Sequence, residues 1–222
     1  MAPIHDAARS GDDETLRRLL AEGVSPDAAD DEDRGRTPLH VLCRNVENTT
    51  RHHAACFELL RDAGANLDAT DSLGYTPLHY AASSKSVELV SLLVQARVNV
   101  DAATTGGTTA LHLAARWGDP DCVEVLLAAG ADIDVRSGGM RPFDLALEFN
   151  SRRMWPLFLR AGAEIPTDNT DPYIVRVKNA GGFKKYEQAH ITRITAILAP
   201  TPRLPPEMVR KIVEFWLHAG YY

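Results

Sequence analysis

The chain has 222 residues, 45% of them hydrophobic and 24% charged, with a formal net charge of −6. That length bounds it at one substantial domain or two small ones. Its composition excludes collagen-like and disordered classes, and no apolar run approaches the roughly 18–20 residues of a membrane span.

In chain order, a nine-residue phrase keeps returning. "PIHDAA" opens at Pro3, followed by "GRTPLHVLC" from Gly35, "GYTPLHYAA" from Gly74, "GTTALHLAA" from Gly107 and "GMRPFDLAL" from Gly139. Each is answered by a second phrase: "LLAEGVSPD" (19–27), "LLRDAGANLD" (59–68), "LLVQARVNVD" (92–101), "VLLAAGADID" (125–134) and "LFLRAGAEI" (157–165). Thr37, Thr76 and Thr109 keep the register, and Arg141 holds the fourth place, so the spacings are 39, 33 and 32. Proline after threonine predicts a helix start, because its fixed φ suits the first turn and its missing N–H is an orphan there. The Thr hydroxyl is a helix cap, and His40, His79 and His112 are placed to bond neighbouring turn backbone. Gly23, Gly64, Gly130 and Gly162 predict the end of each second helix, where a left-handed residue favours glycine. Arg97 stands at that place in the third copy, at a cost of about 1 kcal/mol.

A period near 33 with "TPLH" resembles the ankyrin repeat, a turn followed by two antiparallel helices. The resemblance covers residues 2–165 and implies an all-α solenoid of five units: about 2–34, 35–73, 74–106, 107–138 and 139–166. One hairpin cannot bury its apolar face alone, so the copies must stack. The extra six residues of the 39-residue spacing fall around "RNVENTTRHH" (44–53), which reads as an exposed loop between the two helices of the second unit. Pro156 is expected to distort the second helix of the fifth.

Past Pro166 the repeat stops, and 167–222 forms a second segment. Three helices are expected there: Pro172–Ala180 stopped by Gly181-Gly182, Phe183–Leu198 stopped by Pro200, and Pro206–Ala219. They are read as a cap over Phe149, Trp155 and Phe158. The stretch "RLPPEMVRKIVEFW" (203–216) also resembles the F-box-like tail of viral ankyrin proteins that binds Skp1. Leu204, Pro205, Glu207, Val209, Ile212 and Phe215 are the matching residues, and they would make the chain a ubiquitin-ligase adaptor.

Residues 167–222 hold 8 Lys/Arg against 5 Asp/Glu, hence +3, so that residues 1–166 stand at −9. An acidic body disfavours sequence-independent nucleic-acid binding, and a basic protein partner suits it better. Three cysteines, Cys43, Cys56 and Cys122, are too few and too odd for a disulfide framework. They point to reduced thiols in the cytoplasm or nucleus, and no leader pattern precedes Pro3. "HHAAC" (52–56) lacks the further ligands that a zinc site needs, and no phosphate loop or nucleophile triad is present. No cofactor and no catalysis are expected.

The ankyrin resemblance implies a partner-binding face made of turn tips and the exposed side of each first helix. On this sequence the tips are Asp33, Arg34, Arg36, Ser72, Leu73, Tyr75, Thr105, Thr108 and Met140. The helix positions are Arg9, Arg44, Ser83, Ser84, Arg116, Trp117, Glu148 and Phe149. Tyr75, Arg116, Trp117 and Met140 are the strongest candidates, because aromatics, Met and Arg concentrate binding energy. The expected partner is another protein, as a scaffold contact or as an adaptor's target.

Overall fold

The Thr-Pro steps at Pro38 and Pro77 start helices in the computed structural model, which describes residues 3–44 and 51–198, with Pro205, Glu207, Met208 and Lys211 beyond. Twelve α-helices and two 3-10 turns, and no strand, are found among the described residues. They are α1 (Pro3–Ser10), α2 (Asp13–Ala21), α3 (Pro38–Arg44), α4 (Arg51–Asp62), α5 (Pro77–Ser83), α6 (Val87–Gln95), α7 (Ala110–Trp117), α8 (Pro120–Ala128), α9 (Pro142–Glu148), α10 (Trp155–Arg160), α11 (Pro172–Asn179) and α12 (Phe183–Leu198). The chain divides into two compact units, one covering Met1–Leu145 and the other beginning at Ala146.

In the first unit the helices form two layers: α1, α3, α5 and α7 pack in sequence, and α2, α4, α6 and α8 pack behind them. The first layer is the closer packed, because Ala81, Ala82, Ala114 and Ala115 are fully buried at its contacts. Leu39, Leu78 and Leu111 of the first layer and Leu16, Phe57, Leu60, Leu89, Leu93 and Leu126 of the second are all nearly inaccessible to solvent. Each such side chain contributes about 1.5–3 kcal/mol by leaving water. Asp12 and Asp119 cap α2 and α8 through backbone N–H groups at 2.9 to 3.2 Å.

The insertion is accommodated differently from its sequence reading. α4 has 12 residues where α2, α6 and α8 have 9, so part of the added length extends a helix. His52 and His53 therefore lie in α4 and not in a loop; residues 45–50 lie outside the described residues.

Arg97 has φ 62°, the left-handed conformation that glycine would adopt without strain. Arg97→Gly is expected to stabilise the fold by about 1 kcal/mol, after its own entropic cost. Urea unfolding measures this, and an unchanged or lowered midpoint would refute it.

In the second unit, Pro156 lies in the first turn of α10, after a 3-10 turn at Arg152–Met154. The expected distortion takes the form of that 3-10 turn: the α-helix is shortened to 6 residues against 9 in α8, and it starts where proline is tolerated. Trp155 and Phe158 are buried; the Trp155 ring stands 6.0 Å from Tyr173, and Tyr173 meets Tyr186 edge-on at 5.6 Å. Arg152 and Arg160 bond Asp171 and Glu187 at 2.7 and 2.6 Å. α12 thus packs on both α10 and α11, and α11 meets α10 through the Trp155–Tyr173 pair. Phe149 departs from that expectation, since it is 49% exposed. The helix expected at Pro206–Ala219 lies outside the described residues but for Glu207, Met208 and Lys211.

Candidate functional site

The repeated histidines fix the wall on which the candidate residues stand. In α3, α5 and α7, Nδ1 of His40, His79 and His112 accepts the backbone N–H of Thr37, Thr76 and Thr109 at 3.1 to 3.2 Å. Nδ1 therefore carries a lone pair, and the ring proton belongs on Nε2. From Nε2 each ring donates to the next turn: His40 to Tyr75 O, His79 to Thr108 O and His112 to Met140 O, at 2.9 to 3.1 Å. His5 Nε2 stands 2.9 Å from Arg36 O in the same relation. Burial pushes the pKa of His40, His79 and His112 below the usual imidazole value, offset in part by those carbonyls. The neutral form is the one that the structure uses. At Arg141, the fifth copy reaches the same end by other means: the Asp144 carboxylate accepts the Arg141 backbone N–H at 2.9 Å and its guanidinium at 3.1 Å.

Four of the candidate tip residues are thus held by their main chains. Arg36, Tyr75, Thr108 and Met140 offer their carbonyls to the histidines. Their side chains differ in fate. Arg36, read as a surface contact, is only 5% exposed: it bonds Asp33 and lies 5.5 Å over the Tyr80 ring. Tyr75 is half-buried against His79 and Tyr80. Thr108 bonds Ser137 Oγ at 2.8 Å, and Met140 is half-buried. Leu73, Ser72, Thr105 and Arg34 are exposed.

On the helix side, Trp117 is 51% exposed, and Arg9, Arg44, Arg116, Glu148 and Phe149 are exposed as well. Ser83 is half-buried, whereas Ser84 is buried and donates to Arg44 O at 3.0 Å. Arg44 also stands 3.6 Å from Asp33, the carboxylate that holds Arg36.

Two features escaped the sequence reading. Tyr80 donates to Asp71 Oδ2 at 2.7 Å, while Asp71 Oδ1 accepts the N–H groups of Leu73 and Tyr75 at 2.9 Å. Burial alone would raise the Asp71 pKa, but these donors outweigh it and hold the carboxyl below its usual range. The second feature is a ladder in which Asp27, Asp68 and Asp101 accept the backbone N–H of Asn66, Asn99 and Asp132 at 2.8 to 2.9 Å. The recurrence of an acid at the end of the first three of the second phrases, 41 and then 33 residues apart, was its available signal. Asp68→Ala is expected to cost about 1 kcal/mol, read as a lowered thermal midpoint; no change would remove the ladder from the fold's supports.

Chemistry at the remaining candidates is muted. His52 Nδ1 lies 3.4 Å from Asp13, His53 is buried, and burial pushes the Cys56 thiol up to about 12. No group of three His, Cys, Asp or Glu side chains suited to a metal is found among the described residues. No helix among them is long and apolar enough to cross a membrane. Of the adaptor residues, Pro205 and Glu207 are exposed; Leu204, Val209, Ile212 and Phe215 lie outside the described residues.

A family model described as "Ankyrin repeats (3 copies)" matches residues 4–102, 48–137 and 101–169. Zebrafish (Danio rerio) inversin is 36% identical over 91 residues, covering 41% of this chain and 8% of that protein. Human ankyrin repeat and SOCS box protein 11 is 36% identical over 92 residues, 41% of this chain and 26% of that protein. Variola virus ankyrin repeat protein OPG189 is 32% identical over 81 residues, 36% of this chain and 13% of that protein. The chain thus spans about a quarter or less of the length of these relatives.

Proposed function

Because the chain belongs to the ankyrin-repeat family, we propose that it is a non-catalytic protein-binding module, acting as a scaffold or accessory subunit through its first-helix face. The observation that carries this reading is Trp117, a large apolar side chain left half in water on a wall whose other positions are fixed by backbone bonds. A surface held by histidine–carbonyl links needs little ordering on binding, so more of the contact energy appears as affinity. Arg116 and Ser83 are further contacts on the same helix face, with Arg34, Leu73, Tyr75, Thr108 and Met140 along the tips. Buried, unpaired cysteines support a reducing compartment, the cytoplasm or nucleus.

Trp117→Ala should leave the unfolding midpoint within about 0.5 kcal/mol. It should weaken capture of the native partner by about 2 kcal/mol or more, read by quantitative pull-down from the source cell. Capture equal to the unaltered chain would exclude Trp117 from the site.

The second reading, a ligase adaptor, is favoured by one observation, a relative named for a SOCS box beside its ankyrin repeats. Its residues are Leu204, Pro205, Glu207, Ile212 and Phe215. Co-purification of Skp1, lost on Leu204→Ala with Pro205→Ala, would establish it; no Skp1 in the native complex would end it.

A further inference from the structure

Counting four residues on from each register histidine gives Arg9, Arg44, Ser83 and Arg116, one from each helix of the first layer. α1, α3, α5 and α7 are consecutive neighbours, so these positions form a line across the stack. Arg9, Arg44 and Arg116 are exposed, and Ser83 between the last two is small and half-buried. Trp117 follows Arg116 at the same end of α7, 51% exposed.

The charge of this layer opposes that of the chain. The four first helices hold three arginines against one acid, Asp6; α2, α4, α6 and α8 hold four arginines against seven acids. A net charge of −6 suggested a basic partner, but the acidity is carried largely by the other layer and the loops. Among the described residues, Asp6 stands 3.9 Å from Arg9 and Asp33 stands 3.6 Å from Arg44. Asp33 is shared with Arg36, so that trio keeps a net positive charge.

We propose that the line Arg9–Arg44–Ser83–Arg116 is the track for an acidic, extended segment of a partner protein, with Trp117 as its apolar anchor. The inference rests on the protein-binding reading above and names the chemistry of the segment. Side chains one repeat apart stand about 8–10 Å apart, so the track is about 24–30 Å long. An extended chain rising about 3.3 Å per residue covers it with about seven to nine residues. Ser83 leaves room for a bulky side chain of that segment between two cations. Each arginine also closes its helix at the carbonyl end, where a cation is favoured, so the test must separate binding from fold.

Fluorescein-labelled decaglutamate is the probe, and labelled decalysine its control, both read by anisotropy against the full chain. Decaglutamate should bind, with affinity falling as salt rises, and decalysine should bind at least tenfold more weakly. Arg44→Gln with Arg116→Gln should lower decaglutamate affinity at least tenfold at an unchanged circular dichroism spectrum, and Arg44→Lys with Arg116→Lys should restore most of it. Equal or tighter binding of decalysine, or decaglutamate binding indifferent to the glutamine pair, overturns the proposal. Native-partner capture separates it from the broader reading. Loss in Trp117→Ala but not in the glutamine pair overturns the acidic track alone, and loss in neither overturns both.

Discussion

Alanine at Gly74 is expected to cost about 3 kcal/mol of unfolding free energy, against about 1 kcal/mol for alanine at Gly64. Both glycines are left-handed, at φ 79° and 84°, so both substitutions strain the backbone equally. They differ in their surroundings. A Cβ on Gly74 would stand 3.0 Å from Thr105 N and 3.1 Å from Thr104 Cα, main-chain atoms of the next turn, whereas one on Gly64 would meet nothing within 4 Å. The neighbouring turn cannot yield freely, because Thr105 N donates to Leu73 O at 3.0 Å and Thr104 N to Thr108 O at 2.9 Å. The added cost at Gly74 is thus the cost of parting two turns. Paired urea titrations decide it, and equal losses at the two sites would show that the turns are not in contact as described.

Acidification from pH 7 towards 5 is the second large effect. His40, His79 and His112 are held neutral by burial, with pKa values below the unfolded value of about 6.5. Above that value neither state binds the proton, and stability is complete. As pH falls below it the unfolded chain takes up protons that the folded chain refuses, so stability declines until the folded pKa values are passed. One proton per site sets a ceiling of about 1.4 kcal/mol per pH unit, or about 4 for three sites. His53 and His190 shift in the same direction, again chiefly through burial. The depressed Asp71 and Asp144 act below pH about 4, so the two windows are separable. Protonation also removes the lone pair that accepts the threonine N–H. Unfolding midpoints that stay level between pH 7 and 5 would contradict the neutral, Nε2–H assignment.

The fold was legible where one residue does the same work in every copy. Threonine, proline, histidine and glycine recur because local backbone geometry demands them, and the phase of the hairpins could be read from them. Even the exception at Arg97 was readable, since the position, and not the residue, sets the left-handed turn. The helix starts at Pro172 and Phe183 were legible for the same local reason. The Arg36–Tyr80–Asp71 cluster was not, because its members come from two adjacent hairpins, and no single copy of the repeat contains it.

The sequence by itself determined that this chain is a series of helical hairpins, since propensity, capping and apolar spacing act within about a dozen residues. Only the tertiary structure decided which outward positions meet solvent. Arg36 and Arg44 are both arginines at predicted contact positions, yet one is buried under Tyr80 and the other is open. Exposure belongs to the neighbouring hairpin as much as to the residue, because it depends on what stands across the gap between them. For the same reason the charge of the first-helix face could not be read from the charge of the chain.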